Sequence, residues 1–230
     1  MMNKLKEEKS PYLKQHEDNP VHWFAWNKES LKLAKKEKKP IFLSVGYASC
    51  HWCHVMAHES FEDIETAKIM NDKFINIKVD REERPDLDYV FQRSLSILTG
   101  TQGGWPLSMF LDENAVPFTG GTYFPPKEMH GRPSFQKVLN NVSDVYLNNR
   151  QKILEQAGQM QEIFGKINQK SAVLNQTLEP FVEKIIRHLD IENGSFKGAP
   201  KFPQFYLFDA MFYFYLKTGQ KKYFDQVETL

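Results

Sequence analysis

The sequence predicts an α/β protein, with a central mixed sheet flanked by helices. Three observations lead to this class. A continuous apolar run of strand length, IFLSVGY at 41–47, lies between two helical patterns. A second strand, INIKV at 75–79, follows one helix later, so the two strands and that helix form a parallel unit. Two short segments, LSMFL at 107–111 and VPFTGGTYF at 116–124, flank the turn DENA and predict an antiparallel hairpin that completes the sheet.

The first helix and the first two strands have clear local signals. NKESLKLAKKEKK at 27–39 predicts a helix, because Asn27 is a favoured N-cap and Pro40 disfavours helix at the residue before it. The uninterrupted apolar character of 41–47 is typical of a strand buried on both faces. In 75–79 isoleucine and valine alternate with polar residues, as they do in a strand.

Helical spacing predicts the remaining elements of this domain. SFEDIETAKIMNDKF at 60–74 forms one helix, and DLDYVFQRSLSILTG at 86–100 forms another that ends on its terminal glycine. A long helical pattern runs from Ser134 to about Ile167, and we expect a break near Gly158.

After about residue 170 the pattern becomes purely helical, with a turn-rich insert at 192–204. We therefore expect a first domain at 1–170 and an incomplete helical segment at 171–230. A helix buries its apolar stripe only against neighbours, and aromatic residues cover most sides of the helix at 205–216. We expect its partners to come only from the first domain or from another copy of the chain, and hence self-association. The six aromatic residues are Phe205, Tyr206, Phe208, Phe212, Tyr213 and Tyr215.

Composition excludes several classes of protein. The 230 residues are 41% apolar and 26% charged, which is typical of a globular chain. With 30 basic and 29 acidic residues the net charge is +1, so we expect neither a nucleic-acid partner nor a membrane partner. The first residues, MMNKLKEEKSPYL, lack an apolar signal segment, and we expect a cytoplasmic location. In a reducing compartment a close cysteine pair is more often catalytic or metal-binding than structural.

The two cysteines of the chain, Cys50 and Cys53, stand in CHWC directly after the first core strand. This context predicts a thioredoxin-like motif. Cys50 falls at the start of a helix, where free N–H groups favour the thiolate, and Cys53 lies one turn deeper. We therefore expect thiol–disulfide exchange in which Cys50 attacks, Cys53 resolves, and Cys50 is the more exposed thiol. His51 would carry positive charge beside the thiolate, and Trp52 would make the rim apolar.

Three alternatives remain open for this stretch. The cysteines could be two buried thiols without a chemical role. They could bind a metal with His54 and either His51 or His58, although zinc usually draws two ligands from each of two separated clusters. The other histidines are scattered and form no second cluster: His16, His22, His130 and His188. CHWCH also matches the C-x-x-C-H pattern of haem attachment, which normally requires an exported protein. We expect no metal and no cofactor.

A second motif supports redox chemistry. In GGWPL at 103–107, Pro106 directly precedes a strand, at the place where thioredoxin-like folds carry a cis-proline that faces the cysteines. We expect a cis Trp105–Pro106 bond, with Trp105 over the dithiol. An alternative function is a non-catalytic binding module that holds a partner in a groove lined by all four tryptophans: Trp23, Trp26, Trp52 and Trp105.

Several separated motifs together resemble the spermatogenesis-associated protein 20 family of thioredoxin-like proteins. They are SPYLKQHEDNPVHWFAW at 10–26, KPIFLSVGYASCHWCHVM at 39–56, ESFED at 59–63, KVDREERPDLD at 78–88, TGTQGGWPLSMFL at 99–111, GGTYFPP at 120–126 and GAPKFPQ at 198–204. The resemblance implies a thioredoxin fold with Cys50 and Cys53 as its dithiol and Pro106 at the cis-proline position. It also implies that 171–230 begins an (α/α) toroid. From the CHWC motif itself we expect the partners to be protein or small-molecule thiols and disulfides.

Overall fold

The computed structural model describes residues 2–129, 131–167, 179–190, 192–198, 201 and 205–228. The chain divides into two compact units, Met1–Gln169 and Lys170–Leu230. The predicted boundary between 170 and 171 lies outside the described residues, as do His130 and part of the GAPKFPQ motif.

The first unit contains five strands and seven helices among its described residues, after a short 3₁₀ turn at Leu5–Glu7. In chain order they are α1 (Pro11–Lys14), β1 (Trp23–Ala25), α2 (Lys28–Glu37), β2 (Ile41–Gly46), α3 (His51–Met56), α4 (Ile64–Lys73), β3 (Ile75–Asp80), α5 (Pro85–Thr99), β4 (Leu107–Leu111), β5 (Pro117–Gly121), α6 (Phe135–Asn148) and α7 (Arg150–Ile167). A wide helical turn, Ala57–Phe61, continues α3.

The sheet has the order β1-β3-β2-β4-β5. β3 pairs in parallel with both β1 and β2, and β4 is antiparallel to both β2 and β5. Parallel strand–helix–strand units followed by a closing hairpin, with helices on both faces, make this a thioredoxin-like fold, and the predicted fold class is confirmed.

Local signals explain where the predicted helices begin and end. Asn27 caps α2, since its Oδ1 accepts N–H bonds from Glu29 and Ser30 at 3.0 and 2.9 Å. Gly100 ends α5 in the left-handed conformation with φ of 68°. The predicted break near Gly158 is wrong. The chain breaks at Asn149, whose carbonyl accepts the first N–H bonds of α7, and Gly158 lies inside that helix.

β2 lies at the centre of the sheet and separates two apolar cores. Ile41, Leu43 and Val45 face one core together with α5 residues such as Phe91. Phe42 faces the other core, which contains both cysteines, α4, α6 and much of the N-terminal segment. The strand predicted at 75–79 is β3, and all six of its residues are buried, including the polar ones. A strand between two parallel neighbours in a two-sided sheet has no solvated face.

The second unit contains α8 (Glu179–Ile186), α9 (Phe205–Thr218) and α10 (Lys221–Glu228). α9 buries Phe208, Met211 and Phe214 against residues of α8 and α10. The expectation that its partners come only from the first domain or another copy is therefore wrong, since this unit has a core of its own. Phe205 and Tyr206 remain 70% and 67% exposed. Among the described residues, no helix is both long enough and apolar enough to cross a bilayer.

Candidate functional site

Cys50 and Cys53 form a disulfide where β2 leads into α3, with their Cα atoms 5.2 Å apart. Cys50 is the N-cap residue of α3, and its Sγ accepts the backbone N–H of Cys53 at 3.2 Å. An N-terminal turn leaves backbone donors without helical partners, so this sulfur occupies a position that favours negative charge. The predicted placement of the pair at a strand–helix junction is confirmed.

The oxidised pair is buried. Cys50 is 3% exposed and Cys53 is 2% exposed, so exposure does not separate the two thiols in the way the sequence predicts. The two residues between them are exposed, and Trp52 shows 54% of its surface. The ring of His51 stands edge-on to Trp52 at 5.7 Å.

The neighbouring histidines have partners other than the cysteines. His54 Nε2 lies 2.8 Å from the carbonyl oxygen of Ala48, and His58 Nδ1 lies 2.9 Å from Glu62 Oε1. Within the described residues, no three His, Cys, Asp or Glu side chains come together in a group that could hold a metal ion. The ligand set that the sequence offers for a metal at CHWCH is therefore not assembled.

The Trp105–Pro106 peptide bond is cis and directly precedes β4. Trp105 is half-buried and packs edge-on against Tyr47, with ring centroids 6.0 Å apart. Its Nε1 donates to Asp88 at 2.8 Å, and the Arg81 guanidinium, itself paired with Asp88 at 3.0 Å, lies 4.1 Å over its ring. These contacts hold Trp105 beside the end of β2. Contact between Pro106 and the dithiol stays a prediction.

A cleft of about 780 Å³ lies beside α3. We call it the aromatic cleft, and it is lined by Trp52, Val55, Glu59, Gln102, Gly103, Gly104, Trp105, Thr122, Tyr123, Pro125, Met129 and Arg132. Tyr123 packs 5.2 Å from Trp52 and donates to Glu59 at 2.5 Å. Burial, reinforced by that carboxylate, raises the pKa of Tyr123 to about 12, so its hydroxyl stays a donor at neutral pH.

The structure does not gather all four tryptophans into one groove. Trp52 and Trp105 line the aromatic cleft, but Trp23 is fully buried in the core on the cysteine side of the sheet. Trp26 packs against Phe91 on the opposite side. Trp26 directly follows β1 and lies three positions after Trp23. Because side chains alternate along an extended segment, an odd separation puts the two rings on opposite faces.

Several residues near the cysteines were not identified from the sequence. Lys78 of β3 is 1% exposed, and burial lowers its pKa well below the usual value. Tyr12 of α1 and Ser44 of β2 are completely buried beside it. The sequence contained two signals that could have pointed to these residues, the SPYL motif at 10–13 and a polar residue within a central strand. Neither reveals that the two segments meet behind Cys53.

Comparisons with known proteins show which family this chain resembles. A family model described as "Thioredox_DsbH: Protein of unknown function, DUF255" matches residues 2–165. An uncharacterized protein of Caenorhabditis elegans is 44% identical over 206 residues, which are 88% of this chain and 28% of that protein. Spermatogenesis-associated protein 20 of Homo sapiens is 40% identical over 224 residues, which are 93% of this chain and 28% of that protein.

The chain thus spans about 28% of the length of these curated relatives. A solved structure named DsbH Oxidoreductase aligns with a TM-score of 0.37 and 18% identity, over 55% of this chain and 82% of that one. The resemblance predicted from the motifs is confirmed by the relatives named spermatogenesis-associated protein 20. Because the family model covers more than half of the chain, the protein belongs to the Thioredox_DsbH family.

Proposed function

We propose that this protein exchanges disulfides with protein or small-molecule thiols, with Cys50 as the attacking and Cys53 as the resolving residue. One observation carries the proposal. Cys50 Sγ caps α3 and accepts the N–H of Cys53, while Cys53 lies within disulfide-bonding reach one turn later. The same backbone donor that bonds this sulfur stabilises a Cys50 thiolate and makes it a better leaving group.

The exchange has two steps. In the reduced protein the Cys50 thiolate attacks one sulfur of a substrate disulfide, an S–S bond forms to Cys50, and the other substrate sulfur leaves as a thiolate. The Cys53 thiolate then attacks Cys50 Sγ, which forms the Cys50–Cys53 disulfide and releases the second substrate thiolate. Two electrons pass from the dithiol to the substrate, and each released thiolate takes a proton from solvent.

The aromatic cleft supports a substrate that lies beside α3. Trp52, Trp105 and Tyr123 offer ring faces to apolar or aromatic side chains, and Glu59 and Arg132 add charges of both signs. Clefts of a few hundred cubic ångströms with few polar groups are typical ligand sites. An extended peptide in this cleft would bring a neighbouring cystine towards Cys50.

A second candidate is a non-catalytic binding module that uses the same cleft. The burial of both cysteines, at 3% and 2% exposure, favours it, because an incoming thiol must reach a covered disulfide. The two candidates differ in turnover, since only the first consumes reductant while it reduces a substrate.

A matched pair of variants tests the assignment. Cys53→Ser leaves Cys50 free to form a mixed disulfide that cannot resolve, and Cys50→Ser leaves only the deeper thiol. We expect reduced Cys53→Ser to accumulate an adduct with glutathione disulfide, measured by intact-mass spectrometry, and Cys50→Ser to react at least tenfold more slowly. The wild-type protein with dithiothreitol should reduce insulin, and both variants should fail. Preferential adduct formation by Cys50→Ser would reverse the assigned roles, and binding without insulin reduction would favour the binding module.

A further inference from the structure

A charged pair lies where β3 leads into α5, within the KVDREERPDLD motif at 78–88. Arg81 directly follows β3, and its Nε donates to Oδ2 of Asp88 in the first turn of α5 at 3.0 Å. Asp88 is 6% exposed, although carboxylates are rarely buried unless they are paired. One partly exposed arginine occupies only one of its two oxygens, and the other oxygen binds the residue that precedes the cis-proline.

The second oxygen of Asp88 anchors the loop before the cis-proline. Its Oδ1 accepts the Trp105 Nε1–H at 2.8 Å and lies 3.4 Å from Gln92 Nε2. Gln92 Nε2 also donates to the Gly104 carbonyl oxygen at 3.2 Å, and a Cβ atom on Gly103 would collide with the Gln92 side chain. Two neighbouring side chains of α5 therefore hold three consecutive residues that line the aromatic cleft.

The indole of Trp105 is fixed at its face as well as at its N–H group. The Arg81 guanidinium lies 4.1 Å from the centroid of the Trp105 ring, and the ring of Tyr47 stands edge-on to it at 6.0 Å. Arg81 is itself tied to the sheet, because its backbone N–H donates to the Gly46 carbonyl oxygen at 2.9 Å. A cation over an aromatic face and a charged acceptor on the N–H group both hold the ring in one orientation. Trp105 is thus a preorganised wall of the aromatic cleft.

We propose that Asp88 is a positioning residue that orients Trp105, so that the aromatic cleft selects protein disulfides with an aromatic side chain beside the cystine. The inference rests on the exchange proposed above and names its substrate class. Trp52 and Tyr123 line the same cleft, with ring centroids 5.2 Å apart, so three rings are available to an incoming aromatic side chain. A ring that is already oriented loses little conformational entropy when a side chain packs on it. A well-oriented aromatic pair corresponds to about a fivefold gain in affinity.

Single-turnover reduction of two matched peptides tests this assignment. Each peptide contains one disulfide, and the residue next to one cysteine is either phenylalanine or alanine. The full chain is reduced with dithiothreitol, freed of it and mixed with excess peptide, and alkylation followed by mass spectrometry measures the oxidised protein with time. The dependence of the rate on peptide concentration gives a half-saturating concentration and a maximal rate for each peptide. We expect the wild-type protein to half-saturate at about fivefold less phenylalanine peptide than alanine peptide.

Asp88→Ala should abolish this preference, because its half-saturating concentration for the phenylalanine peptide rises to that for the alanine peptide while the ratio of maximal rates stays unchanged. Trp105→Phe keeps an aromatic ring but loses the N–H group, and it should lose the preference as well, since the ring is no longer held. The double variant Asp88→Ala with Trp105→Ala should behave as Trp105→Ala alone, because both changes act on one side chain. Asp86→Ala is the matched control. It removes a carboxylate from the same turn of α5, but Asp86 pairs with Arg84 at 2.7 Å, and the preference should keep its wild-type value.

A purely structural Asp88 would lower the reaction with both peptides by the same factor and leave their ratio unchanged, which would overturn the assignment. A retained preference in Trp105→Phe, or multiplying effects of Asp88→Ala and Trp105→Ala in the double variant, would also overturn it. Fluorescence anisotropy of the two peptides, labelled and bound to the oxidised protein, measures the same selection without any exchange. An Asp88-dependent preference in binding without peptide reduction would overturn the proposed exchange alone, and a wild-type protein that does not prefer the phenylalanine peptide would overturn this inference.

Discussion

Replacing Gly46 by alanine should disrupt the packing behind the disulfide. Gly46 ends β2, and its backbone touches both Tyr12 and Cys53. A Cβ there would lie 2.3 Å from the Tyr12 hydroxyl oxygen, 2.7 Å from Tyr12 Cζ and 2.7 Å from Cys53 Sγ. Contacts below 3.0 Å essentially never occur for real Cβ atoms, so the neighbours must move. φ at Gly46 is not in the left-handed region, and the effect is therefore steric.

The expected loss of stability follows from how little the neighbours can move. Tyr12 is fully buried, and Cys53 is held both by α3 and by the disulfide. Overpacking a core costs about 1–3 kcal/mol, and two rigid neighbours place Gly46→Ala at the upper end of that range. The lower entropy of the unfolded alanine chain returns about 0.4–1 kcal/mol. We therefore expect a net loss of about 2 kcal/mol in the free energy of unfolding.

Urea unfolding followed by tryptophan fluorescence measures this change in the first unit alone, because Trp23, Trp26, Trp52 and Trp105 account for the four tryptophans of the chain. With a slope of about 2 kcal/mol per molar urea, the midpoint should fall by about 1 M. Gly158→Ala is the matched control, since nothing lies within 4 Å of its Cβ position inside α7, and it should gain about 0.5–1 kcal/mol. If Gly46→Ala unfolds within 0.5 kcal/mol of the wild type, Tyr12 and Cys53 do not meet over this glycine.

Three further predictions concern other parts of the chain. Burial lowers the pKa of His16 from 6.5 to about 2. As the pH falls towards and below 6.5, the unfolded chain therefore takes up a proton that the folded chain does not, and the free energy of unfolding decreases. From pH 7.5 to pH 5.5 the wild-type protein should lose about 1.4 kcal/mol in its free energy of unfolding, measured with urea, and His16→Gln should not show this loss. If the two proteins lose the same stability over this pH range, His16 is not buried as described. Asp63 caps α4 through the N–H of Thr66 at 2.7 Å, so Asp63→Ala should lose about 1 kcal/mol in the same assay, while Asp72→Ala on that helix stays within about 0.5 kcal/mol. Tyr206 and Leu216 are each 67% exposed, and we expect the protein to self-associate in sedimentation velocity. The double variant Tyr206→Ser with Leu216→Ser should associate more weakly, and a wild-type protein that stays monomeric at every concentration would refute this prediction.

The sequence was sufficient for the elements that carry their own local signals. The apolar run of β2 identified a strand with two buried faces, and Asn27 and Gly100 marked helix ends whose caps the structure contains. The interpretation of CHWC as a thioredoxin-like motif followed from its position directly after that strand. These features depend on neighbours within a few residues, which is the range over which propensity and periodicity report.

Features that depend on distant segments were beyond this reasoning. β1 is only three residues long and is stabilised by pairing with β3, about fifty positions away in the chain. The alternation in β3 identified a strand, but Lys78 is covered by the rings of Tyr12, Trp23 and Phe61, which lie far from it in the sequence. The four tryptophans were grouped by type, although Trp26 lies on the opposite face of the sheet. Periodicity shows that a strand has two faces, but it does not show what covers each one.

The N-terminal segment packs on the cysteine side of the sheet through contacts with residues that are distant in the sequence. It is anchored by the Lys4 N–H on the Trp23 carbonyl at 2.8 Å and by Asn3 on the His16 carbonyl at 2.8 Å, and Leu5 is fully buried. Without these contacts α1, with only four residues, would not hold a position in water. With them it seals the cysteine side of the sheet, excludes water from Lys78 and brings the Tyr12 hydroxyl to Gly46. The burial of Lys78 and the tight packing of Tyr12 against Gly46 therefore depend on a segment that lies far from β2 and β3 in the sequence.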